Sequence, residues 1–230
     1  MRQLVIVSAG TSQPSTTRML ADRIAAESLE RLRELEVSAT VGAIELAPLA
    51  VDIARTTVSG VPSGDLQAAI EQIAAADAVI AAAPVYKAGI SGLFKSFVDV
   101  LDDDLLIAKP VVLAATGGSS RHALVVDEQM RSLFAYMRAL TLPTSVFAAP
   151  EDWGAAELGE RVRRAATELA VIVERQIERG IADRAWSGYQ HAFAGNATRS
   201  EQTGGDVDFD SPLMRLAAGG RTNAPASADS

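Results

Sequence analysis

The sequence predicts an α/β fold, a doubly wound parallel sheet of five strands with helices on both faces. Two observations carry this prediction. Short apolar runs alternate with helical patterns as far as Gly180. The runs are also apolar throughout, not at every second position, which suits strands buried beneath two helical layers.

LVIV (4–7) is the first strand, and MLADRIAAESLERLREL (19–35) follows with apolar residues at 20, 24, 25, 29, 32 and 35, one face of a helix. ATVGAIEL (39–46) reads as the second strand. APLAVDIARTTVSGVPSGD (47–65) carries Pro and Gly and is expected to be a long loop. LQAAIEQIAAAD (66–77) is helical, with Asp65 near its N-terminus, where a carboxylate suits the helix dipole. AVIAAA (78–83) is the third strand, ended by Pro84. ISGLFKSFVDVLDDD (90–104) is a helix, PVVLAA (110–115) the fourth strand and ALVVDEQMRSLFAYMRAL (123–140) another helix. TSVFAA (144–149) is the fifth strand. WGAAELGERVRRAATELAVIVERQIERG (153–180) is a long helix expected to stop at Gly180. With no repeat and no linker, residues 1–180 form one domain.

Residues 181–230 are a polar extension, expected to be partly disordered over the last ten positions. Within 207–217, Phe209, Leu213, Met214 and Leu216 make a small apolar cluster. It is either packed locally or a docking segment for a second subunit. Asn196-Ala197-Thr198 fits a glycosylation pattern by chance.

The formal charge of −8 over 230 residues argues against a nucleic-acid partner, which needs a basic face. With no cysteine there is no disulfide framework or thiolate metal site, and His122 and His191 lie too far apart to suggest a local metal motif. No apolar run approaches the ~18 residues of a membrane span. A strand beginning at Leu4 leaves no room for a signal peptide, so the cytoplasm is the expected compartment.

Ligands of open α/β sheets lie beyond the carboxyl ends of the strands. In the order 2-1-3-4-5, strands 1, 3 and 4 are adjacent, so the loops SAGTSQPSTTR, PVYKAGISG and TGGSSRHA share one cleft. The first offers hydroxyls from Thr11, Ser12, Ser15, Thr16 and Thr17 beside a helix N-terminus, a neutral cup for one phosphate. Its lack of lysine argues against nucleotide triphosphate hydrolysis. Equally, Ser15 or Thr16 can simply cap the helix. In the second loop, Pro84, Val85, Tyr86, Lys87 and Ala88 can lie against a flat ring, or Tyr86 can be an ordinary half-buried aromatic. In the third, Thr116, Gly117, Gly118 and Ser119 allow close backbone approach to a heterocycle edge. His122 can donate to a ligand or to a carbonyl, and Arg121 can meet a phosphate or only solvent. Lys95 and Asp99 are a surface pair of little consequence.

These segments resemble the NADPH-dependent FMN reductase family. APVYKAGISGLFKSFVDVL is similar to its P-V-Y-x-x-x-x-x-G-x-x-K-x-x-x-D segment. LAATGGSSRHALVVDEQMRSL resembles the T-G-G-S-x-x-H segment of the branch serving two-component flavin monooxygenases. The resemblance spans residues 3–180, and VDFDSPLMRL resembles a tail motif of some members. It implies a flavodoxin-like fold and an NAD(P)H-dependent FMN reductase, with FMN and NADPH (or NADH) as cofactors. By that likeness Thr11, Ser12, Ser15, Thr16 and Thr17 would hold the FMN phosphate, Pro84 to Ala88 would line the isoalloxazine, and Thr116 to Ser119 would meet its pyrimidine edge, with His122 nearby. Hydride would pass from nicotinamide to flavin without a protein nucleophile. A homodimer or homotetramer and a monooxygenase partner are implied as well. Where many relatives carry an arginine in the first loop, this chain has Gln13, and Arg18 and Arg121 are candidate substitutes. The rival expectations are a quinone or azo reductase with tightly held FMN, and a flavodoxin-type electron carrier without enzymatic activity.

Overall fold

The computed structural model describes residues 1–186. The polar extension, with the 207–217 segment and Asn196, lies outside the described residues. β1 (Arg2–Ser8), β2 (Ala39–Glu45), β3 (Ala78–Tyr86) and β5 (Pro110–Thr116) pair in parallel in the order β2-β1-β3-β5. β6 (Leu140–Thr141) and β7 (Val146–Ala148) both pair with β5 and together form the fifth strand, so the five-strand order 2-1-3-4-5 holds. β4 (Gly89–Ile90) folds back on β3 as a hairpin.

Alternate residues of each strand feed two cores. Leu4, Ile6, Ile80 and Val112 pack beneath α1 (Thr16–Glu34) and α6 (Ala156–Glu174). Val5, Val7, Val79, Val111 and Leu113 face the other side. There they meet α2 (Ala50–Ser59), α3 (Gly64–Ala75), α4 (Gly92–Asp99) and α5 (Arg131–Tyr136). Both faces are thus covered by helices among the described residues, and in such a sheet ligands bind beyond the carboxyl ends of the strands. Among the described residues no helix is long and apolar enough to cross a membrane.

Several elements differ from expectation, each for a local reason. The stretch 47–65 is not one long loop: α2 occupies its middle, burying Ile53 and Thr56. Its threonines are accommodated because Thr56 and Thr57 donate to the carbonyls of Asp52 and Ile53 at 2.8 and 2.9 Å. Gly60, in the left-handed region at φ 72°, ends that helix. The Gly and Pro of the segment therefore mark a helix end.

Pro84 does not end β3. Its carbonyl accepts from Ser91 N–H at 3.0 Å, so the N–H it lacks would point toward β4 and not into the β5 ladder. The carbonyl of Ser91 is meanwhile taken by Lys95 N–H at 3.1 Å, so nothing is orphaned. The helix expected at 123–140 is shorter, a π-helical turn at Val126–Met130 continued by α5, and a separate 3₁₀ turn at Ser120–His122 precedes it. The last long helix starts later and breaks at Gln176, whose φ is 52°; α7 (Ile177–Ala185) then runs through Gly180.

Candidate functional site

The carboxyl ends of β1, β3, β5 and β7 open into a cleft of about 370 Å³, within the usual range of ligand pockets. A larger hollow of about 870 Å³ runs along α2 and Val61–Ser63, but none of the strand-end loops reaches it. The smaller cleft is the one that the predicted loops line.

Two hydroxyl pairs tie the three predicted loops together. Thr17, in the first turn of α1, and Thr116, at the end of β5, are both buried, with their Oγ1 atoms 2.7 Å apart. Thr11 Oγ1 lies 3.2 Å from the Tyr86 hydroxyl and spans from the first loop to the second. Thr11, Ser12, Thr16, Thr17, Pro84, Val85, Tyr86, Thr116, Gly117 and Gly118 line the cleft. Ser15 does not. It caps α1, its Oγ accepting from Arg18 N–H at 3.1 Å, and borders a neighbouring cavity instead. Lys87, Ala88, Ser119 and His122 also stand outside the lining. Ser119 accepts from Arg121 N–H at 3.3 Å and so starts the 3₁₀ turn.

The first loop is a cradle drawn tight over a helix end. A Cβ built on Gly10 would stand 1.8 Å from Ser15 Oγ, so any larger residue there must displace the Ser15 side chain. The first amides of α1 have no intrahelical acceptor, and Thr16 adds an exposed hydroxyl beside them. Ser12 donates within the loop, to Pro14 O at 3.0 Å. These are neutral donors at the positive end of a helix, a set suited to one phosphate monoester. Arg18 does not complete the cup. Its guanidinium is held by Asp22 at 2.7 Å and Glu45 at 2.8 Å, a cluster with a net charge of −1.

The second loop is a two-residue hairpin turn in which Lys87 and Ala88 have φ of 51° and 64°. Glycine is the usual choice there, and each non-glycine residue in this region costs about 1–2 kcal/mol. The surroundings therefore hold the turn. Gln129, on the π turn, accepts from Ile90 N–H at 3.0 Å and donates to Ala88 C=O at 3.2 Å.

The fifth strand, one position further out in the sheet, contributes residues absent from the predicted set: Ala148, Pro150 and Trp153 line the same cleft. AAPEDW follows a strand end like the other loops, and that was the available signal. Asp152 folds this turn by accepting from Ala149 N–H at 2.8 Å. Glu151 accepts from Ser120 N–H at 3.3 Å, joining it to the third loop.

A model of the NADPH-dependent FMN reductase family matches residues 1–154, which hold every loop of this cleft. The chain belongs to that family. FMN reductase (NADPH) of Pseudomonas aeruginosa is 38% identical over 175 residues, 74% of this chain and 91% of that protein. The NADH-dependent FMN reductase SfnE of Pseudomonas putida is 40% identical over 172 residues, 71% of this chain and 88% of that one. Among solved structures, an oxidoreductase of Corynebacterium diphtheriae aligns with a TM-score of 0.74 and 42% identity, over 76% of this chain and 98% of that one. The chain is thus a flavodoxin-like NAD(P)H-dependent FMN reductase, an oxidoreductase using FMN and a nicotinamide.

Proposed function

We propose that the reductase seats FMN in this cleft and passes reduced flavin to a partner monooxygenase. The observation that carries the placement is the closure of three loops on one cleft by the Thr17–Thr116 and Thr11–Tyr86 pairs. The Thr16 hydroxyl and the first amides of α1 hold the phosphate. Pro84, Val85 and Tyr86 form one wall for the ring. The Gly117 and Gly118 backbone meets the ring's polar edge, and Trp153 borders the cleft from the β7 side. When bound, FMN supplies the N5 atom that accepts hydride from a nicotinamide. The protein's part is to stack and orient the reacting rings.

A cup without a cation and a cleft open to solvent support a flavin that leaves after reduction. The branch resemblance supports a monooxygenase as the receiver. Because loops of such a site are commonly closed by a second subunit, the reductase is proposed to be a homodimer or homotetramer working in the cytoplasm. The test is NADPH and NADH oxidation followed at 340 nm with and without added FMN, together with gel filtration. Turnover that requires added FMN, with protein eluting colourless, supports the proposal. A flavin that survives gel filtration, with double-displacement kinetics on quinones, replaces it with the tightly bound quinone reductase.

A further inference from the structure

Gln129 lies outside the cleft lining and touches the site only through the β3–β4 hairpin. The pairing shows what it does there. Val85 pairs with Ile90 and Tyr86 with Gly89, while Ser91 N–H bonds Pro84 O at 3.0 Å. In an antiparallel ladder hydrogen-bonded and non-hydrogen-bonded pairs alternate. Pro84 and Ser91 are bonded, so Val85 and Ile90 are not, and the N–H of Ile90 points away from β3. Gln129 Oε1 takes that outward donor at 3.0 Å, and Gln129 Nε2 reaches the outward carbonyl of Ala88 at 3.2 Å. The two contacts also fix which end of the amide is oxygen, because an N–H needs an acceptor and a carbonyl needs a donor. One side chain thus grips both sides of a turn whose two central residues, Lys87 and Ala88, are left-handed without being glycine.

We propose that Gln129 is a positioning residue for flavin: it holds the hairpin in the conformation that presents Pro84, Val85 and Tyr86 to the ring. The Tyr86 hydroxyl can meet Thr11 only if the hairpin keeps this shape. Freed from Gln129, the turn would relax toward less strained conformations, and each binding event would have to restore it. The loss would then fall on flavin affinity and leave hydride transfer in the bound complex intact. This inference rests on the hairpin being a wall of the flavin site.

The experiment compares the full-length protein with Gln129→Met, which keeps the length and removes both bonds. Hydrogen exchange at the Ile90 amide is measured without flavin, and KM for FMN and kcat in steady state. Expected are exchange at Ile90 about tenfold faster with β5 amides unchanged, KM for FMN up by about tenfold, and kcat within about twofold. Faster exchange with an unchanged KM overturns the positioning role, as does a variant in which exchange and KM are both unchanged, or one whose loss is confined to kcat. If Gln129→Met does not fold, Gln129→Glu takes its place: it keeps an acceptor for Ile90 N–H and loses the donor to Ala88, so it is read by KM and kcat, where a raised KM for FMN with kcat within about twofold is expected and an unchanged KM overturns the positioning role. Wild-type protein that turns over no FMN overturns the functional reading, while the Ile90 exchange still reports on the clamp itself.

Discussion

Gly10, Thr17 and Thr116 carry more of the site than their size suggests. The Gly10→Ala substitution must push Ser15 from its capping position, because the new Cβ would sit 1.8 Å from Ser15 Oγ. Its expected effect is at least about a tenfold loss of FMN affinity, read by fluorescence quenching, with the loop disturbed at the phosphate end. Thr17→Val leaves the Thr116 hydroxyl buried without its partner. It should lower stability by about 1–3 kcal/mol in urea unfolding, with the denaturant slope unchanged. At this scale the sequence was partly legible. The hydroxyls and glycines of the three loops marked them as neighbours, and they do line one cleft. That Thr17 and Thr116 face each other across 99 positions, and that Ser15 turns to its own helix, depends on how two strands and a helix meet. No spacing rule contains that information.

Elements set which residues reach the cleft. The fifth strand is broken: between Val111↔Thr141 and Ala114↔Val146, β5 has two residues and the edge has four. Side chains of neighbouring helices satisfy the backbone of that bulge. Arg131 donates to the carbonyls of Leu142 and Pro143 at 2.8 and 3.3 Å, and Glu168 accepts from Thr144 N–H at 2.9 Å. The run TSVFAA showed the strand but not the bulge that advances Ala148, Pro150 and Trp153 into the site, since the bulge is made by partners more than ten positions away. Helix α2 was obscured differently, because its β-branched residues and the Gly and Pro at its end outweigh a short buried face. At the far end of the sheet Lys109 is buried and donates to the carbonyls of Ala74 and Ala76, with Glu178 of α7 at 3.5 Å. Lys109→Met should cost about 3 kcal/mol in thermal or chemical unfolding and leave KM for FMN unchanged, because the amino end of β5 is remote from the cleft.

For the molecule as a whole, the doubly wound sheet gathers four strand ends into one place, and the chemistry follows from what those ends carry. They supply neutral hydrogen-bond donors, a hairpin and glycine backbone, with no acid–base pair in the lining. Such a site suits a reaction whose reactive atoms belong to flavin and nicotinamide. A second copy of the chain is expected to complete it. Light scattering should therefore give two or four times the mass of one chain, and a monomer at micromolar concentration would contradict that part of the account. The most direct test of the central claim is an absorbance titration of the purified protein with NADPH, with and without added FMN. The account predicts catalytic NADPH oxidation and bleaching of the flavin band near 450 nm only when FMN is present, and the loss of both in Gly10→Ala at low FMN. Nicotinamide oxidation of equal rate without FMN, or none with either nicotinamide, would contradict it.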